Sequence, residues 1–550
     1  MTDRVTRLFV YAVTAVLAFA GGWYVLTQGS SIPIGDEWDL LFEWVGSRST
    51  GEWALQHHGE HRFPLPKLLW LAGLRATGYD FRAVQFLTLA LLTATGILLM
   101  WTARRLRGRQ HPVDAIFPAL TLHWAHGFNL IMSFQLGFAL VAYALAGWLW
   151  CAGRAADGRV WRLGSVLYPL LVIPCGGFGI TFAPAYVGWC GWLAWRQRRS
   201  WFALVPLVAA LASAGYTAWV VMTMPLGLNP TTSPLAEPLA FLAAVVGSLS
   251  VAVGTWPVGS VAGRWLVGIA VVALYAVALV RGTRRFRANP TPLSVALLAV
   301  MVGSLLTAAA TAYARGTGYA ERMADASAVG LAAAWLAAFG TWDGARWLSA
   351  GLVLAVAGGL FWANYIPGLN FAIQQRHLTW NIRNDLRAGV PPSVLTSRYG
   401  HSTAVVVGPR MEQQIPVFRK LGLPDFRNAA DEPATVAVPV AGLKLPIRVA
   451  FPAVTALELP APPPNVFALR FRAHTPAAIT RERVTLVWTD AATGRTHEAA
   501  ARPLPSVGDS LLIYPLHGKP TDFRLRPDQG ITGLQLIAAN WLLHAGVPPP

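Results

Sequence analysis

Charge is scarce in this chain. Of its 550 residues only 13% are Asp, Glu, Lys or Arg, whereas 54% are hydrophobic. Soluble domains carry about 25% charge, so the composition excludes an ordinary soluble enzyme. Acidic residues are the scarcest, 26 against 44 Lys and Arg, giving a formal net charge of +18. Cysteine is almost absent: Cys151, Cys175 and Cys190 stand in or beside apolar runs without metal-ligand spacing. That excludes a disulfide framework and leaves three small buried side chains. There is no HExxH motif, no internal repeat, and no low-complexity tract beyond APPPN and the proline-rich end.

The basic excess does not indicate nucleic acid, because no recognition module accompanies it. Arginines gather at the ends of apolar runs instead, at Arg104, Arg105, Arg107 and Arg109, at Arg154, Arg159 and Arg162, at Arg196, Arg198 and Arg199, and at Arg281, Arg284, Arg285 and Arg287. This is the positive-inside pattern, which orients membrane helices without a polyanionic ligand. The runs recur with roughly 18 or more residues, long enough for a hydrocarbon core about 30 Å thick. The chain therefore reads as a polytopic helical membrane protein.

The first run, from about Leu8 to Leu26, resembles a signal peptide but is longer and lacks a clear small-x-small cleavage site. It is expected to be an uncleaved span with a cytoplasmic N-terminus. Span two is expected over Val84 to Ala103 and span three over Val113 to Ala125, paired with span four over Phe134 to Trp150. A second hairpin follows, and its outer turn is IPCGGFGITFAP. The stretch from Leu239 to Val253 is expected to be re-entrant, since a full crossing there would put RGTRRFR on the outer side. Counting onward through Tyr365 gives about eleven crossings plus one re-entrant element, with an extracytoplasmic C-terminal region.

From Pro367 composition changes. Residues 367–432 hold polar, helix-compatible segments, a connecting region after the transmembrane domain 1–366. Over residues 433–550, TVAVPV, LPIRVAF, FALRFRAH, RVTLVWTD, SLLIYPL, FRLRP and TGLQLIAA alternate with turn residues. Period-two patterning of this kind predicts a β-sandwich domain.

The densest cluster of ionisable groups in the membrane half lies in the first outer loop, residues 27–80. Asp36, Glu37, Asp39, Glu43, Glu52 and Glu60 crowd there with His57, His58, His61 and Arg62. Helical spacing of Trp38, Leu41, Phe42 and Val45, and of Leu68, Leu69, Leu71 and Leu74, predicts two short interfacial helices. Titratable groups at a membrane surface are a functional-site hypothesis by default. Glycosyl transfer from a lipid-phosphate sugar would need a carboxylate base and cationic groups for the leaving phosphate. Asp36 and Glu37 supply the first, and Arg62, Arg315 and Arg322 the second. His58, Glu60, Asn129 and Gln135 are candidates for hydrogen bonds to the acceptor. His123 and His126 read as packing residues. The ligand types among Asp36, Glu37, His57, His58 and His61 suit a divalent cation, magnesium or manganese, but adjacent His57 and His58 would point apart on a helix.

GDEWD followed by HHGEHRFPLPKL resembles the DDW…NEHR pattern of bacterial members of the GT-C superfamily, integral-membrane glycosyltransferases that use polyprenyl-phosphate sugars. NLIMSFQLGF and ARGTGYAERMADAS look like their second and third patches. The resemblance covers roughly residues 1–366 and implies a GT-C-like fold. It implies a catalytic base at Asp36 with Glu37 second, and contacts to substrate or phosphate from Glu60, His61, Arg62 and Arg322. The sequence departs from the pattern at Glu37, at Gly59 where Asn is usual, and at Met323 where Tyr is expected.

The expectation is a bacterial plasma-membrane enzyme acting on the outer face, with a polyprenyl-phosphate donor and a glycan or glycolipid acceptor. A transporter or flippase of lipid-linked saccharides is the other reading. It would favour charges buried mid-span and repeated broken helices, whereas the ionisable residues here cluster in loops.

Overall fold

Apolar composition sets the first two thirds of the chain as helices, because a helix satisfies its own backbone hydrogen bonds. The computed structural model describes residues 2–59, 61–223, 234–254, 261–315, 323–342, 344–387, 390–399, 411–427, 429, 435–449, 453–463, 466–474, 484–501, 504–506, 509–516, 519–527 and 534–544. The chain divides into two compact units, Met1–Ser31 with Gly46–Arg376, and Ile32–Val45 with His377–Pro550.

The helices of the first unit begin with α1 (Asp3–Gln28), and α2 (Glu37–Gly46) follows in the chain but belongs to the second unit. Next come α3 (Thr50–Leu55), α4 (Pro64–Ala76), α5 (Phe81–Arg107), α6 (Ile116–Leu122), α7 (Gly127–Ile131) and α8 (Leu136–Gly153). After them stand α9 (Arg159–Val172), α10 (Gly177–Arg196), α11 (Leu204–Met222), α12 (Pro238–Ser250), α13 (Val261–Ala288), α14 (Pro292–Arg315), α15 (Ala324–Phe339) and α16 (Arg346–Arg387), whose residues from His377 onward are counted in the second unit. Among the described residues seven helices are long and apolar enough to cross a membrane: α1, α5, α8 with its preceding turn, α11, α13, α14 and α16. Their ends follow local chemistry. The Thr2 hydroxyl accepts from Val5 N–H to start α1, the Asp80 carboxylate accepts from Arg82 N–H to start α5, and three arginines precede the left-handed Gly108 that ends α5.

The expected continuous span over Val113 to Ala125 is instead interrupted. A 3-10 turn at Pro112–Ala115 leads into α6, which stops where His123 turns extended and its ring accepts from Ala125 N–H. The 3-10 turns Trp124–His126 and Ser133–Gln135 bracket α7. The stretch read as re-entrant is α12, ended by a 3-10 turn at Val251–Val253.

At the centre of the unit lies α15, buried along nearly its whole length and rich in alanine. Small side chains let its neighbours close in: a Cβ at Gly330 would collide with Ser304 and Tyr275. By contrast α1 leaves Leu8 71%, Phe19 74% and Trp23 57% exposed, an apolar face suited to lipid.

The second unit holds α2, α17 (Pro392–Tyr399) and α18 (Met411–Lys420). Trp38 of α2 packs on Phe418 and Phe426 with ring centroids 5.2 and 5.4 Å away. Gln414 Nε2 donates to Asp39 Oδ1 over 2.9 Å.

Ten strands complete the second unit: β1 (Thr435–Pro439), β2 (Ile447–Val449), β3 (Thr455–Leu457), β4 (Val466–His474), β5 (Val484–Asp490), β6 (Thr496–Ala501), β7 (Leu504–Ser506), β8 (Asp509–Pro515), β9 (Pro520–Pro527) and β10 (Leu534–His544). One sheet runs β1-β10-β4-β8-β7 with β2 also on β10, and the other runs β3-β9-β5-β6. Leu469, Phe471, Tyr514 and Trp541 of the first share a buried cluster with Leu486, Trp488, Phe523 and Leu525 of the second.

Candidate active site

The acidic pair divides by burial. Gly35 takes a left-handed φ of +59°, turning the chain so that α2 starts at Glu37. Glu37 is fully buried, and its carboxylate folds back to accept from Ile34 N–H at 2.7 Å. A carboxylate at that position also suits the positive helix end. Asp36, one residue earlier, is half-buried. Trp38 locks the turn by donating its indole N–H to Pro33 O over 2.8 Å. All of this lies in the second unit.

The histidine segment lies in the first unit and is a tight turn. His58 N–H donates to His61 O and His61 N–H to His58 O, at 2.9 and 3.2 Å. Gly59 sits in that turn at φ +57°, a backbone conformation favouring Gly or Asn. Either residue type is compatible with this backbone. Glu60 lies outside the described residues.

Arg62 is held from three sides. Its Nε donates to His57 Nε2 at 2.7 Å and its Nη1 to Leu55 O at 2.9 Å, and the guanidinium stands 4.1 Å from the centroid of the Trp219 ring. Burial, and then the Arg62 charge, hold the His57 pKa below its ordinary value, so the ring stays a neutral acceptor. The sequence did not mark Lys67 as special, yet it is fully buried and donates to Trp53 O and Gln56 O at 2.9 and 3.0 Å. It ties the end of α3 to α4.

Two later segments meet this turn. Phe134 packs on Phe63 and His58, with centroids 4.8 and 6.1 Å apart. Trp70 Nε1 donates to Ser133 Oγ at 2.7 Å. A Cβ at Gly177 would stand 3.1 Å from the His61 ring, so the glycine-rich turn before α10 lies against it. Asn129 and Gln135 are both fully buried on the interrupted segment between α6 and α8. Both polar side-chain atoms of Gln135 lack a partner among the described residues.

His123 and His126 are buried and hydrogen-bonded, consistent with the expected packing role. His126 Nδ1 pairs with Asp325 Oδ1 at 2.5 Å and its Nε2 with Leu120 O at 2.9 Å, with both side chains fully buried. His123 pairs with Ala252 O at 3.0 Å. Met323, at the position where the resemblance suggests Tyr, packs with Val251, Ala324 and Phe178. The start of α15, the end of α12 and the turn beside His61 thus converge. Arg322 lies outside the described residues, as does the side chain of Arg315.

The structure brings His58, His61 and Arg62 together with the segment bearing Asn129 and Gln135, whereas Asp36 and Glu37 are carried by the second unit. Among the described residues no group of three or more His, Cys, Asp or Glu is placed to hold a metal ion. Compared with known proteins, the sequence matches no protein-family model and no curated protein.

Proposed function

We propose that this protein is a membrane glycosyltransferase that moves a sugar from a polyprenyl-phosphate carrier to a cell-envelope glycan or glycolipid. The observation that carries this reading is the fixed Arg62 guanidinium, set by His57, Leu55 and Trp219 beside the His58–His61 turn. Its Nη2 has no partner among the described residues, leaving a pre-oriented donor for a phosphate oxygen. The reaction is attack of the acceptor hydroxyl on the anomeric carbon, its proton passing to a carboxylate, the part that the resemblance assigns to Asp36. The carbon–oxygen bond to phosphate breaks, and the charge left on the polyprenyl phosphate falls to Arg62, Arg315 and Arg322. His58, Glu60, His61, Asn129 and Gln135 hold the sugars.

Half-buried Asp36 is the base in this scheme, and Glu37, occupied by Ile34 N–H, sets the turn that presents it. We read the bundle as about eleven crossings with α12 re-entrant, counting shorter and interrupted helices with the seven long ones. The two sheets are read as an extracytoplasmic sandwich, in a bacterial plasma membrane.

The test is transfer of radiolabelled sugar in membranes carrying the lipid-linked donor pool. Asp36→Asn is expected to lower transfer at least about 100-fold, the range of a lost general base. Glu37→Gln retains most activity, since its amide oxygen still accepts from Ile34. Full activity in Asp36→Asn would remove the carboxylate from the mechanism.

A transporter of lipid-linked saccharides is favoured by one observation, the buried His126–Asp325 pair set among interrupted helices. Protein-dependent movement of a fluorescent lipid-linked saccharide across vesicles, without sugar transfer, would replace the first reading with this one.

A further inference from the structure

The last carbonyls of any α-helix lack intrahelical partners. At the end of α15 they are met by arginines from the end of α13. Arg281 Nη1 donates to Ala338 O at 2.7 Å, and Arg285 donates to Ala337 O at 3.0 Å and to Thr341 Oγ1 at 3.1 Å. The Arg281 guanidinium also stands 5.3 Å from the Phe339 ring centroid. Trp342 is fixed nearby, its carbonyl accepting from Arg107 Nε at 2.9 Å. Arg284 is exposed and has no partner among the described residues.

These groups enclose an open cavity of about 380 Å³, lined by Arg281, Arg284, Arg285, Phe339, Thr341 and Trp342. Orientation of helices by charge explains arginines at a helix end, but it does not explain a cavity in which two of three guanidiniums are pinned by neutral partners. No carboxylate among the described residues lines it; Arg281 and Arg285 are held by the terminal carbonyls of α15, and Arg284 adds a third guanidinium to the same wall. Guanidinium keeps its charge and matches phosphate oxygens in its fork geometry. Val277 and Val280, 40% and 51% exposed, continue an outward apolar stripe of α13 towards the cavity.

We propose that this cavity binds the phosphate group of an anionic ligand, with Arg284 in direct contact and carbonyl-held Arg281 and Arg285 setting the field. The apolar stripe beside it favours a membrane lipid as the source. The proposal does not depend on the glycosyltransferase reading.

The test is native mass spectrometry of the full chain in detergent, titrated with phosphatidylglycerol, with phosphatidylcholine and, separately, with inorganic phosphate. Phosphatidylglycerol is expected to bind in preference to phosphatidylcholine, and Arg284→Gln to weaken it about five-fold, the effect of one basic residue at a membrane surface. Arg284 caps no carbonyl, so an unchanged melting temperature is the folding control. Arg287→Gln, on the same helix end but outside the cavity, is expected to leave binding nearly unchanged. Inorganic phosphate binding that Arg284→Gln weakens, without lipid preference, assigns the same phosphate site to a soluble ligand. Equal losses in Arg284→Gln and Arg287→Gln, or no dependence on Arg284 in either arm, overturn the proposal.

Discussion

Lys67 and Gly59 show how single residues set the first loop. Lys67 is fully buried, and its ammonium meets two backbone carbonyls together with the Trp53 and Phe63 rings, 5.1 and 5.3 Å from its nitrogen. Lys67→Met keeps the stem but leaves those carbonyls without their donor. It should cost about 2 kcal/mol of stability, seen as a lower melting temperature in detergent. At Gly59 the left-handed backbone is the constraint. Gly59→Asn should leave melting and transfer near wild type, whereas Gly59→Val should impair both, since a β-branched residue strains that conformation. Equal behaviour of the two variants would show that the turn is not held at positive φ. His57 adds a pH dependence. Its folded-state pKa is lowered, so the unfolded chain binds the proton more readily. The stabilising contribution is therefore full above about pH 6.5 and lost as pH falls through and below that value.

Among elements, the junction between α5 and α6 and the hairpin between β5 and β6 depend on carboxylates in different settings. Arg107 Nη1 donates to both Asp114 oxygens at 2.9 and 3.1 Å, with side chains only 4% and 0% exposed, and Gln110 and His111 N–H complete the shell. Removing one partner of such a pair strands the other charge. Arg107→Met should thus lower stability by about 3 kcal/mol, and adding Asp114→Asn should restore most of it because the amide still accepts from His111. Asp490 ends β5 and holds the hairpin turn. N–H of Lys519, the Thr493 hydroxyl and N–H of Ala492 lower its pKa to about 2. Its stabilisation is present above the ordinary carboxylate value of about 4 and is lost as pH falls from there towards about 2. Hydrogen exchange across β5 and β6 should accelerate over that interval in the wild type, and Asp490→Asn should remove the acid-dependent part.

For the whole molecule, the orientation we propose places the α13 arginines in the cytoplasm and the strands outside. The three native cysteines are buried, so they give a quiet background for thiol labelling. A membrane-impermeant maleimide should label exposed Ala492→Cys in intact cells and exposed Ala288→Cys only after permeabilisation. The reverse order would invert the topology.

Hydropathy alone placed the seven long helices, because apolar length and self-satisfied backbone bonds are local properties. Seven of the strands were legible from alternating β-branched and aromatic residues. β6, THEAAA, was not, since alanines carry no strand signal and the element is held by pairing with β5. The loop with Asp36, Glu37, His58, His61 and Arg62 was visible as a local concentration of charge. Tertiary structure alone decided which of these residues share a unit, that Glu37 is occupied by Ile34 and that Lys67 is buried. It also paired His126 with Asp325, 199 residues away, and set the α13 arginines on the carbonyls of α15. Such pairings arise when packing removes water and each buried polar group must find a partner, a condition that no stretch of sequence carries by itself.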